Sequence, residues 1–135
     1  MPTILLVEDN IMFRETLKFI LASRFPDIQI VETGDGRMAL KEIEDKTPEL
    51  IVMDIKLPHA NGLDLTKRIK MDHPMTKIII VSTYDSLEYE EAAAECGADF
   101  FVSKQASSDD IISVIGQFLK KNNMHEKGVI HQGFL

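Results

Sequence analysis

The chain has 135 residues, of which 44% are hydrophobic and 27% charged, as expected for one folded domain large enough to bury a core. Its formal net charge of −7 argues against a free-standing nucleic-acid or anionic-membrane binder, because such proteins carry basic surfaces. Cys96 is the only cysteine, which excludes an internal disulfide and a thiolate metal cluster. No apolar stretch approaches the roughly 20 residues of a membrane span, and the N-terminus lacks the basic lead of a signal peptide. We therefore expect a cytoplasmic chain with no membrane partner.

Short apolar runs alternate with amphipathic segments through most of the chain. The predicted strands span residues 4–7, 28–32, 50–54, 78–82 and 100–103. The predicted helices span residues 13–23, 37–46, 63–71, 88–96 and 109–120. Five strands alternating with five helices predict an α/β fold, a doubly wound parallel sheet with helices on both faces. Residues 122–135 show no clear periodicity, so we expect a folded domain over residues 1–121 and a C-terminal linker or mobile tail after it.

Three acidic residues stand at the ends of two predicted strands. Glu8 and Asp9 directly follow the first apolar run, and Asp54 directly follows Leu50-Ile51-Val52-Met53. The carboxyl ends of parallel strands form the crevice where open α/β sheets bind ligands. Three carboxylates gathered there repel one another unless they are protonated or bridged by a cation. Because hard carboxylate oxygens suit Mg²⁺, the sequence predicts a magnesium site at this edge.

A hydroxyl and an ammonium complete the predicted site. Ser82 ends the fourth predicted strand, and Lys104 follows the fifth. Both side chains can bind an anion that is held near the cation. Taken alone, each of these residues also fits a structural role: Asp54 or Ser82 as a helix cap or turn residue, and Lys104 as a solvated surface lysine.

The assembled set resembles the receiver domain of two-component response regulators, over roughly residues 1–120. The matching pieces appear in family order and comprise Glu8-Asp9, the segment 53–58 followed by Asn61-Gly62, Ser82, Lys104, and the segments 36–40 and 96–100. The resemblance implies a flavodoxin-like fold with strand order 2-1-3-4-5. It also implies a signalling switch that catalyses only its own phosphorylation and dephosphorylation.

The resemblance assigns a role to each site residue. Asp54 would be the phosphoacceptor for a sensor histidine kinase. Asp9, Asp54 and the backbone carbonyl of Lys56 would ligate Mg²⁺, with Glu8 acting mainly through metal-bound water. Ser82 and Lys104 would each contact a phosphoryl oxygen.

Phe101 lies three residues before Lys104, where the family carries its switch aromatic, although a core residue is the simplest interpretation of Phe101. On phosphorylation, Ser82 and Phe101 would move together. The fourth helix, fifth strand and fifth helix, or the first and fifth helices, would then present a changed surface to a partner. A phosphorylation-dependent homodimer is one expected outcome.

The chain also departs from the family pattern. Gln105 stands where receivers usually carry proline, and the run 103–107 is similar to the subfamily with a LuxR-type helix-turn-helix output domain. We therefore expect DNA binding, and control of transcription, only through an output domain outside this chain.

Lys56, Thr83 and Tyr84 flank the approach of water to Asp54, and none is a small polar group suited to orienting that water. A side chain of Tyr84 that points into solvent would remove its part of this shielding.

Two other classes of protein use part of this pattern. A phosphohydrolase of the haloacid-dehalogenase kind also has an Asp nucleophile, but it typically needs a second Asp two residues on, where this chain has Lys56. A flavodoxin-like nucleotide carrier needs a hydroxyl- and glycine-rich loop after the first strand, where Glu8-Asp9 would repel a phosphate unless Mg²⁺ intervened.

Overall fold

A parallel sheet of five strands organises the fold, and the computed structural model describes residues 1–124. The strands of this part of the chain are β1 (Thr3–Val7), β2 (Gln29–Thr33), β3 (Leu50–Met53), β4 (Lys56–Leu57), β5 (Ala60–Asn61), β6 (Lys77–Ser82) and β7 (Phe100–Ser103). The helices are α1 (Ile11–Arg24), α2 (Gly36–Lys46), α3 (Gly62–Asp72), α4 (Leu87–Glu95) and α5 (Ser108–Met124).

The main sheet has the order β2-β1-β3-β6-β7, and every neighbouring pair is parallel. Strands β4 and β5 form a separate antiparallel hairpin. When this hairpin is not counted, the order is 2-1-3-4-5, so the predicted doubly wound sheet with five helices is confirmed.

Helices cover both faces of the sheet because alternate strand residues point to opposite sides. On one face, Ile4 and Leu6 of β1 pack in a core with buried residues of α1 and α5. On the other face, Leu5 and Val7 pack in a core with buried residues of α2, α3 and α4. The central strands are buried on both sides, which explains why they are continuous apolar runs in the sequence. Over residues 1–124, no helix has the length and apolar character needed to cross a bilayer.

The structure differs from the sequence prediction mainly at the ends of elements. The third strand ends at Met53, so Asp54 lies just beyond it, and the second strand begins and ends one residue later than predicted. The β4–β5 hairpin was not predicted. Helix α5 continues to Met124, through the first three residues of the expected tail; the rest of that tail, residues 125–135, lies outside the described residues.

The topology brings the predicted site residues to one edge of the sheet. Strand β1 lies between β2 and β3, and Val7 is in register with Met53. After β1 the chain forms β2 on one side of β1 and then crosses over to form β3 on the other side. The direction of the strand order therefore reverses at β1, and the gap beyond the carboxyl ends of β1 and β3 is a topological switch point. Ser82 and Ser103 are in register at the same edge, at the ends of β6 and β7. The site therefore lies where open α/β sheets bind ligands.

Candidate functional site: an acidic cluster at the carboxyl edge

The three acidic residues predicted to cluster do lie together. Glu8, Asp9 and Asp54 each offer a carboxylate oxygen, and the three oxygens lie within 4.8 Å of one another. Glu8 and Asp54 are only 5% and 8% exposed, whereas Asp9 is exposed at the mouth of the crevice. Like charges this close repel strongly unless a cation lies among them.

Lys104 supplies one positive charge to this cluster. Its Nζ lies 2.8 Å from Glu8 Oε1 and 3.0 Å from Asp54 Oδ2. The backbone places it there because the Lys104 N–H donates to the Ser82 carbonyl across β6 and β7. Burial of the ammonium acts to lower the pKa of Lys104, but the hydrogen bonds to Glu8 and Asp54 and the negative charges of these two carboxylates together outweigh burial and raise that pKa above its usual value. Lys104 therefore stays charged at neutral pH.

Glu8 is the most deeply buried of the three carboxylates. Burial raises the pKa of Glu8, and the charge of Asp54 raises it further, while hydrogen bonds from Lys104 and from the Asn10 N–H act in the opposite direction. That N–H donates to Glu8 Oε2 at 2.9 Å. Asn10 also caps α1, since its side-chain oxygen accepts from the Phe13 N–H at 3.0 Å, as N-cap residues do. The start of α1 thus fixes the loop that carries the acidic pair.

Asp54 is held by its own backbone and by close packing. The Asp54 N–H donates to the Val7 carbonyl at 3.0 Å, and Asp54 Oδ1 accepts from the Ile55 N–H at 2.7 Å. Gly62 begins α3 directly against this segment, and its N–H donates to the Ile55 carbonyl at 2.7 Å. A Cβ at position 62 would collide with the Asp54 carbonyl oxygen. Only glycine fits this close approach, which gives the Asn61-Gly62 motif a structural reason.

Ser82 and Phe101 lie inside the domain behind this edge. Ser82 is fully buried, and its Oγ accepts from the Tyr84 N–H at 2.9 Å. Phe101 is 7% exposed and packs in the core shared with α2, α3 and α4. It therefore points inward in this form of the protein. Thr83, which is expected to flank the approach of water to Asp54, is exposed after β6.

Lys56 and Tyr84, which follow Asp54 and Ser82 by two residues each, meet at the surface. The Lys56 Nζ lies 5.2 Å from the centroid of the Tyr84 ring, within the range of a cation–π contact. The Tyr84 ring also contacts the ring of Tyr89 of α4, at a centroid distance of 5.4 Å. Tyr84 is 43% exposed, so its ring keeps these two contacts while much of its surface stays open to solvent.

Two residues that contact the site were not identified from the sequence. The centroid of the Phe13 ring lies 4.7 Å from Lys104 Nζ, although the sequence predicts only that Phe13 begins the first helix. Arg14 donates from Nη1 to the Glu8 carbonyl at 2.6 Å. Their positions in the first turn of α1, directly after the acidic pair, are the one sequence signal that places them near the site.

The donor set of this cluster fits a divalent cation. Three carboxylates and one ammonium leave a net charge near −2 if all are ionised. Carboxylate oxygens are hard ligands of the kind that Mg²⁺ takes, usually one or two with water completing its coordination. Lys104 reduces the repulsion but leaves the exposed side of the cluster, at Asp9, open to a cation.

Comparisons with known proteins agree with this geometry. Residues 4–116 match the response regulator receiver domain family. The transcriptional regulatory protein DegU of Brevibacillus brevis is 31% identical over 113 residues, which cover 83% of this chain and 48% of that protein. The transcriptional activator protein ExaE of Pseudomonas putida is 30% identical over 86% of this chain and 54% of its own length. The chain thus spans about half the length of these curated relatives.

A solved structure shows the same fold. The receiver domain protein (CheY-like) from Methanospirillum hungatei JF-1 superimposes with a TM-score of 0.82 at 27% identity, covering 93% of this chain and 99% of the other. The match favours neither the phosphohydrolase nor the nucleotide carrier considered from the sequence. The chain belongs to the response regulator receiver domain family, whose function in two-component systems is to accept a phosphoryl group on an aspartate.

Proposed function

We propose that Asp54 accepts a phosphoryl group from a sensor histidine kinase in a Mg²⁺-dependent reaction, and that this charge switches the surface of the domain. The observation that carries the proposal is the contact of Asp54 with Lys104 within the cluster that Glu8 and Asp9 complete. A carboxylate with two acidic neighbours and one ammonium has the surroundings that phosphoryl transfer to an aspartate needs.

In the proposed transfer step, Asp54 and Lys104 of this chain act on a phosphohistidine of the kinase. A carboxylate oxygen of Asp54 forms a bond to phosphorus while the N–P bond of the donor phosphohistidine breaks. The electron pair of that bond goes to the imidazole nitrogen, which takes up a proton. Lys104 lies 3.0 Å from Asp54 Oδ2, so a short movement of its ammonium brings it to a phosphoryl oxygen. There it stabilises the charge that spreads over the transferring group.

Asp9, Asp54 and the backbone carbonyl of Lys56 are the groups we assign to direct Mg²⁺ binding, with Glu8 acting through a metal-bound water. When bound, Mg²⁺ supplies positive charge to the phosphoryl oxygens. The exposure of Asp9 supports its role as a direct ligand, whereas the bond of Glu8 to Lys104 supports a less direct one. Receiver domains bind Mg²⁺ at an acidic pocket, and the cluster of Glu8, Asp9 and Asp54 supports such a site in this chain.

The response to phosphorylation would pass through Ser82 and Phe101. Phosphorylation adds nearly two negative charges, and the buried Ser82 hydroxyl would turn from the Tyr84 N–H toward a phosphoryl oxygen. Phe101 both packs in the core and lines a cleft of about 470 Å³ between α4, β7 and α5. Any repacking of Phe101 therefore changes this cleft. We propose that either this cleft or the face formed by α1 and α5 contacts a partner, which can be a second copy of the chain in a phosphorylation-dependent dimer.

The output of the switch is proposed from the relatives. Their names describe transcriptional regulators, so we propose that this domain controls transcription from the cytoplasm, with DNA contacted only by an output domain outside these 135 residues. Its only chemistry would be its own phosphorylation and dephosphorylation.

The direct test is phosphorylation by a small donor. Incubation with Mg²⁺ and phosphoramidate, whose N–P bond resembles that of phosphohistidine, should add one phosphoryl group, seen by intact mass. Asp54→Asn should abolish the addition. Asp64→Asn, at an exposed aspartate of α3, is the matched control and should label fully. Full labelling of Asp54→Asn would show that the acceptor lies elsewhere.

A further inference from the structure

Arg14 joins three elements directly beneath the acidic pair. From α1, its Nη1 donates to the backbone carbonyl of Glu8 at 2.6 Å, and its Nε donates to Glu32 Oε1 of β2 at 2.9 Å. The Arg14 side chain is only 17% exposed. The donors of a guanidinium lie in one rigid plane, so Arg14 holds the Glu8 carbonyl and the Glu32 carboxylate in a fixed arrangement. A lysine ammonium cannot do this as rigidly.

This bridge matters because Asp9 has no other support for its orientation. Within residues 1–124, no hydrogen bond or ion pair to another side chain holds the Asp9 carboxylate. Its direction is therefore set by the backbone, in particular by the peptide group that links Glu8 to Asp9. The Glu8 N–H donates to the Thr33 carbonyl at 3.0 Å, and the Glu8 carbonyl accepts from Arg14. Together these two hydrogen bonds fix the backbone of Glu8, to which Asp9 is joined.

The surroundings of Arg14 are fitted to hold it. Glu32 is charged at neutral pH, since the hydrogen bond from Lys18, together with that from Arg14, lowers its pKa. The absence of a side chain at Gly34 makes room for the guanidinium, because a Cβ at this position would lie 2.8 Å from Arg14 Nη1. Lys18 binds the other oxygen of Glu32, at 2.6 Å, but does not contact Glu8.

We propose that Arg14 is a positioning residue for cation binding: by bridging Glu32 to the Glu8 carbonyl, it orients Asp9 toward the metal position. The inference rests on the proposed function, because it takes the cluster of Glu8, Asp9 and Asp54 as the Mg²⁺ site. Partners that orient metal ligands without touching the ion typically change metal affinity by 10- to 100-fold when they are removed.

The test compares Arg14→Gln with Lys18→Gln. Both variants remove an ion pair between α1 and Glu32, but only Arg14→Gln removes the bond to the Glu8 carbonyl. Mg²⁺ affinity is measured by calorimetric titration, and stability by urea unfolding without Mg²⁺. We expect Arg14→Gln to bind Mg²⁺ roughly tenfold more weakly, and Lys18→Gln to bind it as the wild type does. The carbonyl ¹³C signal of Glu8 should move in Arg14→Gln and stay in place in Lys18→Gln.

A third variant covers the case in which Arg14→Gln folds poorly. Arg14→Lys keeps the charge and the side-chain stem but not the fork, so it should stay folded and still bind Mg²⁺ more weakly than the wild type. If Arg14→Lys bound Mg²⁺ with wild-type affinity, or if Arg14→Gln and Lys18→Gln lost affinity equally, Arg14 would not position the metal site. Either result would overturn this inference and leave the proposed function intact. If Asp9→Asn bound Mg²⁺ as tightly as the wild type, the proposed metal site itself would be wrong, and this inference would fail with it.

Discussion

The Lys104 ammonium lies 3.0 Å from Asp54 Oδ2 and 2.8 Å from Glu8 Oε1, so one cation bridges the two buried carboxylates of the site. Side-chain exposure is 12% for Lys104, 9% for Asp54 and 6% for Glu8. In such surroundings, removing one member of an ion pair leaves the other charge without compensation. Lys104 therefore has two roles: it stabilises the domain without metal, and it is poised to contact the phosphoryl group.

The first prediction follows from this bridge. Lys104→Met should lower the free energy of unfolding without Mg²⁺ by about 3 kcal/mol, measured by urea unfolding. Mg²⁺ should bind the variant at least as tightly as the wild type, because the ammonium no longer competes for the carboxylates. Lys70→Met removes a comparable pair with Asp99, at 2.8 Å and far from the cluster, and should change stability alone. Weaker Mg²⁺ binding by Lys104→Met would contradict this account.

The second prediction concerns repulsion within the acidic cluster. The melting temperature of the wild type should rise with Mg²⁺, by mass action on the folded state, with a gain of about 2.7 kcal/mol at 100 times the dissociation constant. Asp9→Asn should melt at a higher temperature without Mg²⁺, since one repelling charge is gone, and should respond less to the ion. The exposed Asp64→Asn serves as control. A response to Mg²⁺ unchanged in Asp9→Asn would place the cation elsewhere.

The sheet and the acidic cluster were predictable from the sequence for one physical reason. Strands buried on both faces, such as Leu50–Met53, are continuous apolar runs, and their parallel arrangement brings their carboxyl ends to one edge. The residues that directly follow Val7 and Met53 had to meet there. The hairpin of Lys56–Leu57 and Ala60–Asn61 was not predictable, because two residues per strand give no periodicity.

The contacts that surround the cluster could not be predicted in the same way. The sequence predicts that Phe13 begins a helix, but it does not predict that this partly buried ring lies against the ammonium of Lys104. The bridge of Arg14 from Glu32 to the Glu8 carbonyl depends on the distance between α1 and β2, which no local pattern encodes. Such contacts between distant elements require the packed structure.

The third prediction is a pH dependence that arises at Glu32. The hydrogen bond from Lys18, with that from Arg14, lowers the pKa of Glu32 in the folded state. The unfolded chain therefore binds a proton more readily, and the stabilisation is fully present above the unfolded pKa and lost as pH falls through the folded pKa. Urea unfolding at a series of acidic pH values should show a loss of up to about 1 kcal/mol that is absent in Glu32→Gln. Equal pH dependence in both proteins would contradict this assignment.

The fourth prediction concerns the switch. Beryllofluoride with Mg²⁺ stands in for the aspartyl phosphate, and it should shift the backbone NMR signals of Ser82, Thr83 and Phe101. The reason is that Ser82 Oγ would exchange the Tyr84 N–H for the new anion, and that Phe101 lines the adjacent cleft. Sedimentation under the same conditions would detect a dimer, and Asp54→Asn should show neither effect. Shifts confined to the metal-binding residues would mean that the site is intact but does not operate the switch.

The fifth prediction is that the phosphorylated form is long-lived for a receiver. Hydrolysis needs a water in line with the acyl phosphate at Asp54, and we propose that Lys56 and Tyr84 flank that approach. The Tyr84 ring contacts the Lys56 ammonium, at 5.2 Å from its centroid, and the ring of Tyr89. Each of these contacts restrains an otherwise exposed ring. Excluding water from a reactive intermediate slows its hydrolysis, and a barrier higher by about 1.4 kcal/mol slows it roughly tenfold.

Phosphate release from the phosphorylated protein, after the phosphoryl donor is removed, measures this shielding. Lys56→Asn and Tyr84→Ala should each release phosphate faster than the wild type, and the double variant fastest. Tyr84→Phe is the matched control, because it keeps the ring and its contacts with Lys56 and Tyr89, and it should release phosphate at the wild-type rate. The exposed Thr83 is tested separately with Thr83→Ala, since a smaller side chain should also admit water more readily. Release that is equal or slower in Lys56→Asn, Tyr84→Ala and the double variant would show that the Lys56–Tyr84 contact does not shield the phosphoryl group.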